Sequence, residues 1–266
     1  MSSTITTTVA PPARDTRPLH TLPSAKTVFS SLLKADLTAQ WRNRRASVMV
    51  VLIPSIILIS WKGLVDKFGG AFVYSNCITF GLIAIGLLGY ANAIARDRDK
   101  GIFQRLRVTP APRWTIIASR LAVQLLMIII TTIILFILGI QVDHIKMGTS
   151  SYLLGFLIAI VGGATYLSLG QMIVGLVKNP ETVNVTSRLV FFLFIMVGQF
   201  ASFGAFGPTL TAIADWSPYG TTKNMLSAAF IPGAWKNQTN LYLLAGLGYT
   251  AVFTFFGIRY FRWSTK

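Results

Sequence analysis

The sequence predicts an all-α polytopic membrane protein with six transmembrane helices, and three observations carry that prediction. Six apolar segments recur along the 266 residues. The chain is 53% hydrophobic and only 12% charged, a balance that a soluble domain of this length could not hide in one core without large exposed apolar patches. Its 24 Lys and Arg residues sort by side: all but Lys62, Lys67, Lys146, Lys223 and Lys236 fall at the N-terminal arm, the alternate loops or the C-terminal end.

Residues 1–23 are rich in Thr, Ser and Pro and have no apolar run, so they read as a disordered cytoplasmic tail. Over 24–45, Phe29, Leu33, Leu37 and Trp41 recur every four residues, which predicts an amphipathic helix lying on the membrane. Asp36 and Gln40 interrupt its apolar arc, and a protein partner facing them would account for both. The spans follow at about 46–61, 71–95, 115–140, 151–177, 186–206 and 240–258. The first is short for a crossing and contains Pro54, so a tilted or kinked helix with Trp61 and Lys62 reaching the interface is expected. Segment 207–239 is too broken to span and too apolar for a free loop, and predicts re-entrant or interfacial cap helices between spans five and six. The Lys and Arg distribution puts both termini in the cytoplasm of a multi-pass plasma-membrane protein.

The net charge of +16 does not by itself point to nucleic acid, because the positive-inside rule accounts for the same residues at the edges of the spans. A single cysteine, Cys77, and two distant histidines, His20 and His144, offer no disulfide framework and no metal-ligand spacing. No charged residue lies at mid-span, which disfavours a proton relay or a pore selective through fixed charge and suits an amphipathic or lipid-like cargo. Asn76, Asn92, Gln124, Gln171 and Gln199 are the intramembrane polar residues that could mark a translocation path, each with an alternative as an interhelical hydrogen bond.

Segment 96–114 is dense in charge but not uniformly polar. Ile102, Phe103 and Leu106 share one face of a short helix, Lys100, Gln104, Arg105 and Arg107 point elsewhere, and Pro110 with Pro112 stops it before the third span. Such a helix suits docking into a partner's groove.

These residues are similar to the membrane subunits, or permeases, of type-2 ABC transporters. In that family the second span is followed by an acidic residue, a basic residue, glycine, then Arg-Leu and Thr-Pro, here Asp99, Lys100, Gly101, Arg105, Leu106, Thr109 and Pro110. The amphipathic entry helix, the six-span layout and the Pro218-Tyr219 pair in the apolar cap extend the resemblance. Two positions depart from the pattern: Asp99 stands where Glu is usual, and Ile102 where a small polar residue is usual. The resemblance implies that 99–107 is a coupling helix for a separate ABC nucleotide-binding ATPase, with the entry helix and the 178–185 turn as further contacts. It also implies a second permease copy or paralogue. No Gly-Lys dipeptide occurs anywhere, so the chain holds no Walker A loop, and ATP and Mg would be bound by the partner subunit. The multidrug and antibiotic exporter branch is the closest in pattern, with export of lipid-linked glycans the alternative. A membrane-embedded enzyme or a stand-alone channel fits less well, since Asp97, Asp99 and Glu181 sit in basic surroundings without histidine and no pore motif repeats.

Overall fold

The computed structural model describes residues 24–42, 44–107, 112–205 and 207–261. The tail expected over 1–23, and Thr109 and Pro110 of the coupling segment, lie outside the described residues. The described residues are helical and contain no strand. Five of the described helices are long and apolar enough to cross a membrane, and a bent pair makes a sixth if its two limbs count as one span.

Helix α1 (Ala25–Arg42) starts where the Ser24 hydroxyl accepts a hydrogen bond from the Thr27 amide at 3.2 Å, which satisfies one of the amides a helix start leaves unpaired. It is followed at once by α2 (Arg44–Ser60), which carries Pro54 in its interior. The chain then breaks at Trp61 and turns by 60° into α3 (Lys62–Phe68). The short first span expected over 46–61 is thus one limb of a bent crossing, and Trp61 sits in the bend edge-on to Phe80.

The second span is longer than the expected 71–95. It runs from Gly70 to Asp99 as α4 (Gly70–Ile83), a π-helical stretch (Ala84–Ala91) and α5 (Asn92–Asp99). It is the most enclosed span of the bundle. The wide π turns, which often mark functional positions, lie where the second span crosses the fourth. There Gly86 and Gly170 let the two backbones touch: a Cβ at Gly86 would lie 2.4 Å from the Tyr166 carbonyl oxygen, and one at Gly170 would lie 2.4 Å from that of Gly86.

A left-handed turn at Gly101, φ 68°, leads into α6 (Ile102–Arg107). The third, fourth and fifth spans are α7 (Arg113–Gln141), α8 (Thr149–Leu176) and α9 (Pro180–Ser202). The expected cap resolves into α10 (Pro208–Trp216) and α11 (Pro218–Phe230), ahead of the last span α12 (Asn237–Arg259). The two cap helices differ in kind. Helix α10 leaves Leu210 and Ile213 exposed, whereas α11 buries Tyr219, Thr221, Met225 and Leu226 against α4, α8 and α12. The Tyr166 hydroxyl donates to the Pro218 carbonyl at 2.9 Å and the Tyr219 hydroxyl to Asn76 Oδ1 at 2.5 Å, so α11 is wedged into the bundle by polar contacts with spans two and four.

On the same side as this cap, in the connection between α7 and α8, Asp143 is 7% exposed, and neither carboxylate oxygen has a hydrogen-bond partner among the described residues. Burial raises its pKa above the usual 3.8, against the smaller opposing pulls of Lys62 and His144. A carboxyl with a raised native pKa contributes stability that is present below its unfolded pKa and lost as pH rises through the native value. Melting in detergent should therefore show stability falling between about pH 4 and that native value. Asp143→Asn should remove this slope and melt no lower than the parent at neutral pH. An unchanged slope in the variant would clear Asp143 as its origin.

Candidate functional site: the base of helix α6

The sequence predicts a coupling segment just after the second span, and the structure shows how that span is held where it ends. Two adjacent residues of α5 point in opposite directions. Arg98 is 1% exposed and reaches across to the end of α8. Its Nη1 donates to the Val174 carbonyl at 2.8 Å, and its Nη2 donates to the carbonyls of Val177 and Lys178, each at 2.7 Å. The last carbonyls of a helix have no partner within it and carry the negative end of its dipole, so a guanidinium there satisfies both needs. This is why a buried arginine is tolerated at the foot of an apolar span.

Asp97 turns the other way. Its Oδ2 meets Arg120 Nη1 of α7 at 2.8 Å, and the same guanidinium meets Asp36 Oδ1 of α1 through Nε at 3.2 Å. The Ser119 hydroxyl donates to the second Asp36 oxygen at 2.7 Å. Asp36 is 8% exposed, and desolvation raises its pKa while Ser119 and Arg120 pull it back down. The expectation that Asp36 meets another protein is corrected: its partners are in its own chain, because α1 packs against α7. Of the predicted stripe, Phe29 and Leu33 are half-buried, whereas Leu37 is exposed and Trp41 is 74% exposed.

Helix α6 is hinged to this base. The Gly101 amide donates to the Arg98 carbonyl at 3.1 Å, and the Arg105 amide to the Gly101 carbonyl at 3.1 Å. Phe103 is 1% exposed and packs edge-on to Phe261, and Leu106 is packed against the core. Of the apolar triplet Ile102, Phe103 and Leu106, expected to enter a partner's groove, Phe103 and Leu106 instead hold α6 to its own chain, since leaving them in water beside an available core costs more than packing them, while Ile102 is half-buried. Gln104 and Arg105 are left exposed. Arg107 ends the helix. Asp99 and Lys100 are exposed at the turn, and Asp99 lines a recess with Lys178, Asn179, Pro180 and Glu181. The expected turn over 178–185 is shorter, since α9 starts at Pro180, and its residues 178–181 share this recess with Asp99 of the segment expected to couple.

A family model described as ABC-2 family transporter protein matches residues 15–259. The chain belongs to that family. No curated protein matches it. It is accordingly the multi-pass membrane component of an ABC transporter, a transport subunit of a family that works with an ABC ATPase.

The five polar residues expected along the permease's path separate in the structure. Asn76 is sealed in the core, donating to the Phe72 carbonyl at 2.8 Å and accepting from Tyr219, so its role is to seat α11. Asn92 donates to the Leu88 carbonyl of its own helix at 3.1 Å. Gln199 is buried on α9, with neither amide atom partnered among the described residues. Gln171 and Gln124 border cavities. Gln171 accepts from the Tyr90 hydroxyl at 2.6 Å at the floor of an apolar cavity of about 640 Å³ between α7, α8 and α12. Gln124 lines a polar cavity of about 490 Å³ that also contains Asp36, Asp97 and Arg120. Tyr90 borders both cavities and separates them.

Neither Arg98 nor Arg120 stands out from the sequence as a residue with a partner in the chain. A visible signal existed: two acids and two bases in succession at 96–99 cannot all face water on a helix that continues from a buried span. The Asp36–Arg120 contact itself predicts a result. Asp36→Ala should release α1 at a cost of about 1–3 kcal/mol, since Arg120 loses a charge-assisted bond and the Ser119 hydroxyl one of its two acceptors. Limited proteolysis in detergent should then cut within 25–42 sooner. Unchanged protection would mean that Phe29 and Leu33 hold the helix without the ion pair.

Proposed function

We propose that this permease moves an amphipathic or lipid-like substrate, drug-like or lipid, out of the cytoplasm or inner leaflet of the plasma membrane. Both termini are cytoplasmic in this reading. ATP and Mg are bound and used by a separate ABC ATPase docked on α6, and two permease copies, or this chain and a paralogue, enclose the path. The observation that carries the reading is the mounting of α6: a short helix with Gln104 and Arg105 outward, held by its apolar face and set on a base tied to α1, α7 and α8. A load applied to α6 would reach three other helices without passing through a flexible loop, as a two-state rocking of spans requires. The absence of charged side chains from mid-span and the apolar lining of the cavity beside Gln171 support an apolar or amphipathic cargo.

The test is a gentle-detergent pull-down of the tagged permease from its native membrane, with ATPase activity assayed on the eluate. A co-purifying ABC ATPase that cross-links to Arg105→Cys supports docking on α6. An ATPase that binds the permease but never cross-links at 105 would overturn that docking site.

A further inference from the structure

The polar cavity at the base of α5 has an apolar neighbour on its outer side. Between α2 and α7, beneath α1, a groove of about 720 Å³ is walled by Leu37, Trp41, Val48, Leu52, Leu126 and Ile130. Gln40 and Val123 belong to the walls of both the groove and the polar cavity, so the two adjoin along that edge. The polar side holds three cations, Arg96, Lys100 and Arg120, and two carboxylates, Asp36 and Asp97. Both carboxylates are already engaged by Arg120. Arg96 and Lys100 are exposed and enter no ion pair among the described residues. The charge left over on the cavity wall is therefore positive.

We propose that the groove and cavity together bind an anionic amphiphile, with its alkyl chain along α2 and α7 and a phosphate- or carboxylate-sized headgroup facing Arg96 and Lys100. An alkyl chain in the groove would lie against Leu37, Val48, Leu52, Leu126 and Ile130, all of them exposed or lining the groove. An anionic headgroup beside Arg96 and Lys100, which also act on Asp97, makes charge-assisted hydrogen bonds where the cations outnumber the carboxylates by one. A cationic headgroup would meet carboxylates that already have a partner. Lys100 directly precedes Gly101 and α6, so a headgroup here lies at the hinge of the coupling helix. That last consequence rests on the docking reading above, whereas the binding does not.

Binding can be read on the purified permease alone, in an uncharged detergent, by quenching of tryptophan fluorescence with a chain-brominated dodecyl phosphate. Saturable quenching is expected, and Trp41→Phe should lose part of its amplitude. The double variant R96Q/K100Q should weaken the apparent Kd about tenfold, the weight of one charge-assisted contact. Leu52→Trp, which fills the groove at its other end, should weaken it without touching a charge. Equal saturable binding of a brominated dodecyl trimethylammonium, or unchanged affinity in R96Q/K100Q, would overturn the assignment. The source of the ligand is separable. A phosphate lipid that co-purifies with the parent and is lost from R96Q/K100Q identifies a resident membrane lipid. ATP-driven movement of dodecyl phosphate across proteoliposomes containing the permease and its ATPase identifies cargo.

Discussion

Arg98→Ala should abolish ATP-driven transport while leaving the permease in the membrane and bound to its ATPase. The side chain makes three hydrogen bonds to carbonyls at the end of α8, and alanine leaves all three without that donor. Bonds to a charged group contribute about 1.5–3 kcal/mol each and are not additive, so about 2–4 kcal/mol of local stability is at stake. The loss is concentrated where α6 is mounted, because Arg98 is the contact that ties the second span's foot to the fourth span's end. Insertion is governed by the apolar segments, which this substitution does not alter. Three readouts separate the roles: membrane extraction for folding, pull-down for docking, and proteoliposome export against ATP hydrolysis for transmission. Hydrolysis without export is the expected signature, and Arg98→Lys, which keeps a charge but offers no planar fork, should restore only a fraction. Full export by Arg98→Ala would show that the spans move without this tie.

Gly101→Pro should have an effect of similar size through a different cause. Gly101 occupies φ 68°, a left-handed conformation open to glycine, and its amide donates to the Arg98 carbonyl at 3.1 Å. Proline fixes φ near −65° and has no amide hydrogen, so the turn into α6 cannot form. The helix itself has six residues and no independent stability, so it depends on that turn and on Phe103 for its position. Loss of both export and ATPase pull-down is the expected result, and retention of both would remove α6 from the docking surface. The contrast with Arg98→Ala is informative, since one variant removes the docking helix and the other leaves it in place on a loosened base.

Much of this arrangement was legible in the sequence. Five of the spans are apolar runs long enough to cross lipid, the entry helix announces itself through Phe29 and Leu33, and Pro112 at the N-cap position marks where α7 begins. The segment at 99–107 was found because charge, glycine and an apolar triplet coincide there. What misled was the direction of that triplet. A helical wheel gives the relative angle of Ile102, Phe103 and Leu106 but not whether the face they share meets a partner or the rest of the chain. The same limit applies to Asp36, which breaks the pattern of α1 for a reason located 83 positions away at Ser119. Asn76 looked like a path residue because an amide in a span is costly, and its partner, Tyr219, is supplied by a helix whose depth no local pattern revealed.

The sequence alone therefore determined the class of molecule, an all-α polytopic membrane protein, and the order of its apolar segments. These follow from composition and periodicity, since lipid enforces an apolar, internally hydrogen-bonded helix wherever the chain crosses it. Only the tertiary structure decided which polar residues close on one another: Arg98 on the end of α8, Asp36 and Asp97 on Arg120, and Asn76 on Tyr219. Those pairings join residues far apart in the chain, and a buried polar group is satisfied by whatever the packing of distant helices brings within hydrogen-bonding distance.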